Sequence, residues 1–187
     1  MQILRYDSLT PTPWRNGGGI TREVRREPAQ GRWRWRVSLA EVAQSGPFSD
    51  FTGYRRTMAL LEGNGVLLRF TGGTERTLRS VGELTEFCGG VPTEGVLLAG
   101  PCVDLNLMVD ETLPPPTVER ITGARWLAPA RAHELRLLVP LETSVALIVA
   151  GREERLERWD CAFVEPGDGA VIVLPERSAV LCAVLPN

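Results

Sequence analysis

The chain has 187 residues, 43% of them hydrophobic, with a formal net charge of −2, which places it with ordinary globular proteins and not with disordered chains. No apolar run approaches the roughly 20 residues of a membrane-spanning helix, and the opening MQILRYDSLTP lacks the charged start and apolar core of a signal peptide, so a cytoplasmic protein with no membrane partner is expected. All 21 basic residues are arginine, which excludes a Schiff-base lysine mechanism.

Met1–Tyr6 alternates enough for a short first strand, and Ser8–Pro13 is extended because residues before proline are pushed out of the helical region. Trp14-Arg15-Asn16-Gly17-Gly18-Gly19 comes next. Three successive glycines lose much entropy on folding, so keeping them points to unusual φ or a close backbone approach. Such a loop can turn several N–H groups toward an anion, although it lacks the spacing and the lysine of a phosphate-binding loop. A plain turn is the alternative. Residues 1–56 carry ten arginines against five acids, a surplus suited to a small anion but too diffuse for nucleic acid.

Thr21–Arg26 reads as a strand and Pro28–Gly31 as the hairpin loop after it. From Trp33 the alternation is strict, with Trp33, Trp35, Val37 and Leu39 on one face and Arg34, Arg36, Ser38 and Ala40 on the other. Ser45-Gly46-Pro47 breaks that strand, and Phe48, Phe51 and Tyr54 then crowd into a loop that closes off either a core or a pocket. Arg55-Arg56 leads into the apolar run Thr57–Leu61, and Gly63-Asn64-Gly65 supplies a tight turn into Val66–Phe70. Glu75–Arg79, Leu84–Phe87 and Val96–Leu98 are further short strands.

Cys102–Val109 has two unlike faces. Val103, Leu105, Leu107 and Val109 are aliphatic, whereas Cys102, Asp104, Asn106 and Met108 form a largely polar face in a strand with no other sign of exposure. A buried Asp and Asn need hydrogen-bond partners, and Arg15, Arg36 and Arg56 are the candidates. A neighbouring arginine is expected to lower the Asp104 pKa.

Leu113–Thr117, with three prolines, is the expected linker. Beyond it, Glu119–Trp126, Glu134–Val139, Ser144–Ala150, Glu153–Leu156, Ala162–Val164, Ala170–Leu174 and Ala179–Leu185 alternate with turns. Nothing shows a helical period, so the fold class is all-β, a barrel or jelly roll. The halves echo each other loosely: Met58–Gly63 matches Val145–Gly151, and glycine turns follow at Gly82 and Gly167. Two units are expected, 1–112 with the ligand pocket and 117–187, with exchange of strands between them left open.

Cys88, Cys102, Cys161 and Cys182 form no CxxC, and His133 is the single histidine, so neither a zinc site nor a histidine-based triad is expected. Cys102 and Cys182 read as small buried hydrophobes.

The assembled pieces resemble the HutD/Ves family, bacterial proteins associated with histidine-utilisation gene clusters. They are Pro13–Gly19 with Thr21-Arg22-Glu23; Trp35-Arg36 with Ser38 and Ala40; Gly46–Ser49 with Phe51, Gly53 and Arg56; Leu60–Gly63; and Gly100-Pro101 with Asp104-Leu105-Asn106 and Met108. The resemblance implies a bicupin, two cupin-type barrels in one chain, and a role in sensing or limiting histidine catabolism without an established reaction. Metal-dependent cupins hold their metal with histidines and a glutamate, and the first half here has no histidine. Neither metal nor other cofactor is expected.

The expected binding residues are Trp14, Arg15, Asn16, Arg36, Ser38, Phe48, Arg56, Asp104, Asn106 and Met108. Arg15 and Arg56 suit a carboxylate through bidentate pairing, and by resemblance its bearer is a metabolite such as urocanate or an N-substituted glutamate. The alternatives are a metal-independent hydrolase or isomerase using Asp104, and a purely structural Arg36–Asp104 bridge. A homodimer is compatible with the sequence.

Overall fold

A computed structural model describes residues 1–29, 31–129, 131–175 and 178–186. Among them the regular structure is strand, apart from one 3-10 turn at Tyr6–Ser8. No helix among these residues is long and apolar enough to cross a membrane. Strand β1 is Gln2–Leu4, followed by β2 (Pro11–Pro13), β3 (Gly19–Ala29), β4 (Arg32–Val42), β5 (Gly46–Pro47) and β6 (Tyr54–Glu62). Next come β7 (Val66–Phe70), β8 (Glu75–Leu78), β9 (Leu84–Cys88), β10 (Thr93–Leu97) and β11 (Cys102–Asp110). The last eight are β12 (Thr117–Thr122), β13 (Arg125–Leu127), β14 (Glu134–Pro140), β15 (Val145–Val149), β16 (Arg152–Leu156), β17 (Cys161–Val164), β18 (Ala170–Val173) and β19 (Ala179–Pro186).

The chain divides into two compact units, Thr10–Pro114 and a terminal unit made of Met1–Leu9 with Pro115–Asn187. The division falls inside the proline run. The expected N-terminal unit of 1–112 is therefore corrected, because β1 pairs antiparallel with β17, Gln2 opposite Phe163. Buried Asp160 explains the docking: it accepts from Arg5 Nη1 at 2.7 Å, from the Tyr6 N–H at 2.9 Å and from the Glu157 N–H at 2.9 Å.

The 10–114 unit consists of a six-stranded sheet, β2-β3-β4-β11-β6-β9, and a four-stranded one, β5-β10-β7-β8. The terminal unit has a five-stranded sheet, β1-β17-β14-β19-β12, and a four-stranded one, β13-β18-β15-β16. Among the described residues no sheet closes into a barrel. Adding eight to each strand number converts β9-β6-β11-β4 into β17-β14-β19-β12 and β5-β10-β7-β8 into β13-β18-β15-β16. The strand order thus repeats, but not in the pairing read from the sequence: Met58–Gly63 lies on β6, whose counterpart is β14, whereas Val145–Gly151 covers β15, the counterpart of β7. In the 10–114 unit, Val42, Met58, Leu60 and Cys102 of the larger sheet pack with Val66, Leu68 and Leu78 of the smaller one. The terminal unit packs Leu138, Val180 and Cys182 with Leu147, Val149 and Ile172 in the same way.

Two local readings change. Glu119–Trp126 is not one strand: Gly123, at φ +77°, turns the chain from β12 in one sheet to β13 in the other. Trp33 and Trp35 do not share a face. The register sets Trp33 opposite Pro28 and Trp35 opposite Glu27, adjacent residues on β3, so an extra residue at Arg34 reverses the alternation. Trp35 is fully buried with Val37 and Leu39, whereas Trp33 stacks on Tyr54 with ring centroids 3.9 Å apart. Of the expected Pro28–Gly31 loop, Gln30 lies outside the described residues.

Candidate functional site

Four neighbouring strands of the 10–114 unit align three cross-strand rows on one face. From β3 through β4 and β11 to β6 they read Thr21, Ala40, Asp104, Leu60; then Glu23, Ser38, Asn106, Met58; then Arg26, Arg36, Met108, Arg56. The apolar ends, Met58 and Leu60, join the core. The polar remainder is the floor of a cavity of about 730 Å³. Its walls come from Thr12 to Asn16 on one side and from Pro47, Phe48, Ser49 and Phe51 on the other. All ten residues singled out from the sequence line this one cavity.

Arg56 sits deepest among the basic residues, with 5% of its surface exposed. Its Nη2 donates to Asn106 Oδ1 at 2.6 Å, and Asn106 Nδ2 donates in turn to Asp104 Oδ1. The guanidinium carbon lies 5.2 Å from the Phe48 ring, 5.5 Å from Phe51 and 4.9 Å from Phe87, an aromatic enclosure that stabilises a desolvated cation. Its Nε is buried and makes no hydrogen bond among the described residues. Room for Phe48 is made by Gly95 on β10, where a Cβ would stand 2.6 Å from the ring.

Burial lowers the Arg56 pKa to about 10, with Asp104 opposing the shift and Arg36 adding to it, so the guanidinium stays charged at neutral pH. Asp104 goes the other way from the sequence expectation. Burial raises its carboxyl to about 7, and Arg56 only partly opposes this. At 1% exposure the lost hydration outweighs an arginine reached through an intervening amide.

Neither of the other expected partners, Arg36 and Arg15, pairs with Asp104. Arg36 Nε donates to Glu23 Oε2 at 2.8 Å, and Arg26 Nε lies 3.4 Å from Glu23 Oε1. Arg15 and Asn16 are exposed at the mouth. The glycine loop is not the open anion nest the sequence suggested. The Gly17 N–H donates to the Trp14 carbonyl at 3.0 Å and the Gly18 N–H to Asn16 Oδ1 at 3.0 Å. A Cβ on Gly19 would run into the Glu41 carbonyl and press on the Trp14 ring. The loop's task is to seat Trp14, whose Nε1 donates to Thr21 Oγ1 at 2.7 Å. Glu23, Arg26, Phe51, Phe87 and Gly95 complete the site beyond the ten expected binding residues. Glu23 and Phe51 stand within motifs already quoted, while Phe87 and Gly95 carry no local signal.

The HutD family profile matches residues 6–182 of this chain. An uncharacterized 21.2 kDa protein in the hutC 3' region of Pseudomonas putida is 32% identical over 171 residues, 90% of this chain and 88% of that one. A Citrobacter koseri protein named Ves is 39% identical over 97 residues, 51% of this chain and 50% of that one. Among solved structures, a conserved protein of unknown function from Pseudomonas aeruginosa superposes with a TM-score of 0.85 at 31% identity, covering 98% of this chain and 97% of that one. HutD from Pseudomonas fluorescens SBW25 does so with a TM-score of 0.84 at 26% identity, covering 100% and 98%. A cupin 2 conserved barrel domain protein from Leptotrichia buccalis, TM-score 0.64 at 11% identity over 100% and 96%, extends the likeness to the cupin-like fold alone.

Proposed function

This chain belongs to the HutD family, and on that premise we propose that it is a non-catalytic, metal-independent binding protein for a small carboxylate-bearing metabolite. One observation carries the reading: a charged Arg56, enclosed by aromatic rings and without a direct carboxylate partner among the described residues, lines the cavity. A guanidinium taken out of water loses hydration, and a carboxylate seated on the part of it that lines the cavity replaces that hydration with charge-assisted bonds. The repeated strand order supports reading the chain as a bicupin. The family and the hutC-region relative support histidine breakdown as the source of the ligand, with urocanate and N-substituted glutamates as the leading compounds and sensing or modulation of that catabolism as the role.

The test is a melting screen over compounds of histidine breakdown. A ligand at a hundred times its Kd adds about 2.7 kcal/mol of stability, and Arg56→Ala is expected to weaken binding by about 10- to 100-fold. Unchanged binding in that variant would falsify the placement. Asp104 favours a second reading, a metal-independent acid–base enzyme, because a carboxyl raised to about 7 suits proton transfer near neutral pH. Turnover of a compound that stabilises the protein distinguishes the two.

A further inference from the structure

The row that ends at Arg56 specifies the ligand further. It runs Arg26, Arg36, Met108, Arg56 across β3, β4, β11 and β6, so Arg36 and Arg56 flank an apolar methionine. Neighbouring strands stand about 4.8 Å apart, which puts the two backbones about 10 Å from each other with both side chains entering one space. The guanidiniums sense each other, since Arg36 depresses the Arg56 pKa. Both line the cavity, yet no protein anion lies between them in this row.

The charges on the lining are unbalanced. Among the described residues of the lining, Arg15, Arg26, Arg36 and Arg56 face two acids, Glu23 and Asp104, and burial holds Asp104 toward its neutral form. Among the described residues Glu23 serves both Arg36 and Arg26, meeting each at its Nε. A single carboxylate at Arg56 leaves this second pole with one counter-charge for two guanidiniums. A compact dianion is shorter than the roughly 10 Å between the two backbones.

We propose that the ligand is a dicarboxylate, with one acid group on Arg56, the other on Arg36 and Arg26, and its hydrocarbon segment across Met108. This rests on the carboxylate-pocket reading and narrows it. A ligand with a single acid group satisfies one pole only.

Calorimetry at one slightly acidic pH and fixed ionic strength tests it. Succinate is compared with butyrate, glutarate with valerate, and sulfate serves as the compact dianion. The dicarboxylates are expected to bind about tenfold or more tightly than their single-acid counterparts, the worth of one added charge-assisted pairing, and more tightly than sulfate. Arg36→Gln is expected to weaken glutarate far more than valerate and so to close the gap between them. Equal affinity for glutarate and valerate in the unaltered protein overturns the dicarboxylate and leaves the carboxylate pocket standing. Sulfate binding as tightly as glutarate reduces the effect to charge and overturns the two-pole geometry. A preference that survives Arg36→Gln overturns the assignment of the second pole. Failure of every acid, valerate included, overturns the pocket reading itself.

Discussion

Burying a guanidinium is costly, and Arg56 offsets that cost with three aromatic rings and one amide, not with a direct carboxylate partner. Asp104 is thereby left to burial, which sets the pH behaviour of the fold. Its folded pKa, about 7, lies above the ordinary carboxyl value of 3.8. Between these values the folded state binds more protons than the unfolded one, so the contribution of Asp104 to stability falls as pH rises. It is fully present below the ordinary value and lost once pH passes about 7. Urea midpoints of the unaltered protein are expected to drop between mildly acidic and mildly alkaline buffer, and Asp104→Asn is expected to flatten that slope. A slope unchanged in the variant sinks the assignment. The presence of Asp104, Asn106 and Met108 on one strand face was legible from period two alone. The protonation preference was not, because it depends on how completely the surrounding sheet excludes water.

At the level of elements, the aromatic wall depends on a residue with no side chain. Gly95 on β10 sits opposite both Leu68 and Gly46, and the space where its Cβ would stand is taken by Phe48. Gly95→Ala is expected to displace Phe48 from Arg56, costing about 1–3 kcal/mol of stability as overpacking and weakening carboxylate binding as well. Thermal melts with and without ligand check both; full affinity in a destabilised variant removes Phe48 from the site. No local pattern marks Gly95, since only the pairing of β10 with β5 brings it to Phe48. The β4 strand was half legible. Arg36, Ser38 and Ala40 share the cavity face as alternation requires, but the irregularity at Arg34 turns Trp33 to the face opposite Trp35, and nothing local in the sequence announces it.

At the level of the molecule, the all-β class and the division at the proline run followed from turn spacing and proline stiffness. The destination of residues 1–9 did not, because a three-residue strand has too little pattern to name its partner. Asp160 is the anchor of that segment, and Asp160→Ala is expected to cost about 2–3 kcal/mol by orphaning the Tyr6 and Glu157 amides. Hydrogen exchange should then show β1 released while the 10–114 cavity keeps its protection; unchanged protection of β1 excludes the anchor role. Where the 10–114 unit has Arg56 on β6 and Asp104 and Asn106 on β11, the apolar cluster of the terminal unit draws Leu138 from β14 and Val180 and Cys182 from β19.

The pairing of β1 with β17 also sets a schedule for synthesis. Residues 10–114 form a unit from one continuous stretch, so everything that unit needs leaves the ribosome before residues 115–187 do. The first nine residues leave the tunnel earliest, yet the strand that receives them is made after all of that unit and most of the remainder. Chains fold as their domains emerge, so the cavity-bearing unit is complete while the nascent N-terminus is still waiting. The last contact to form is then the one that joins the start of the chain to its final quarter.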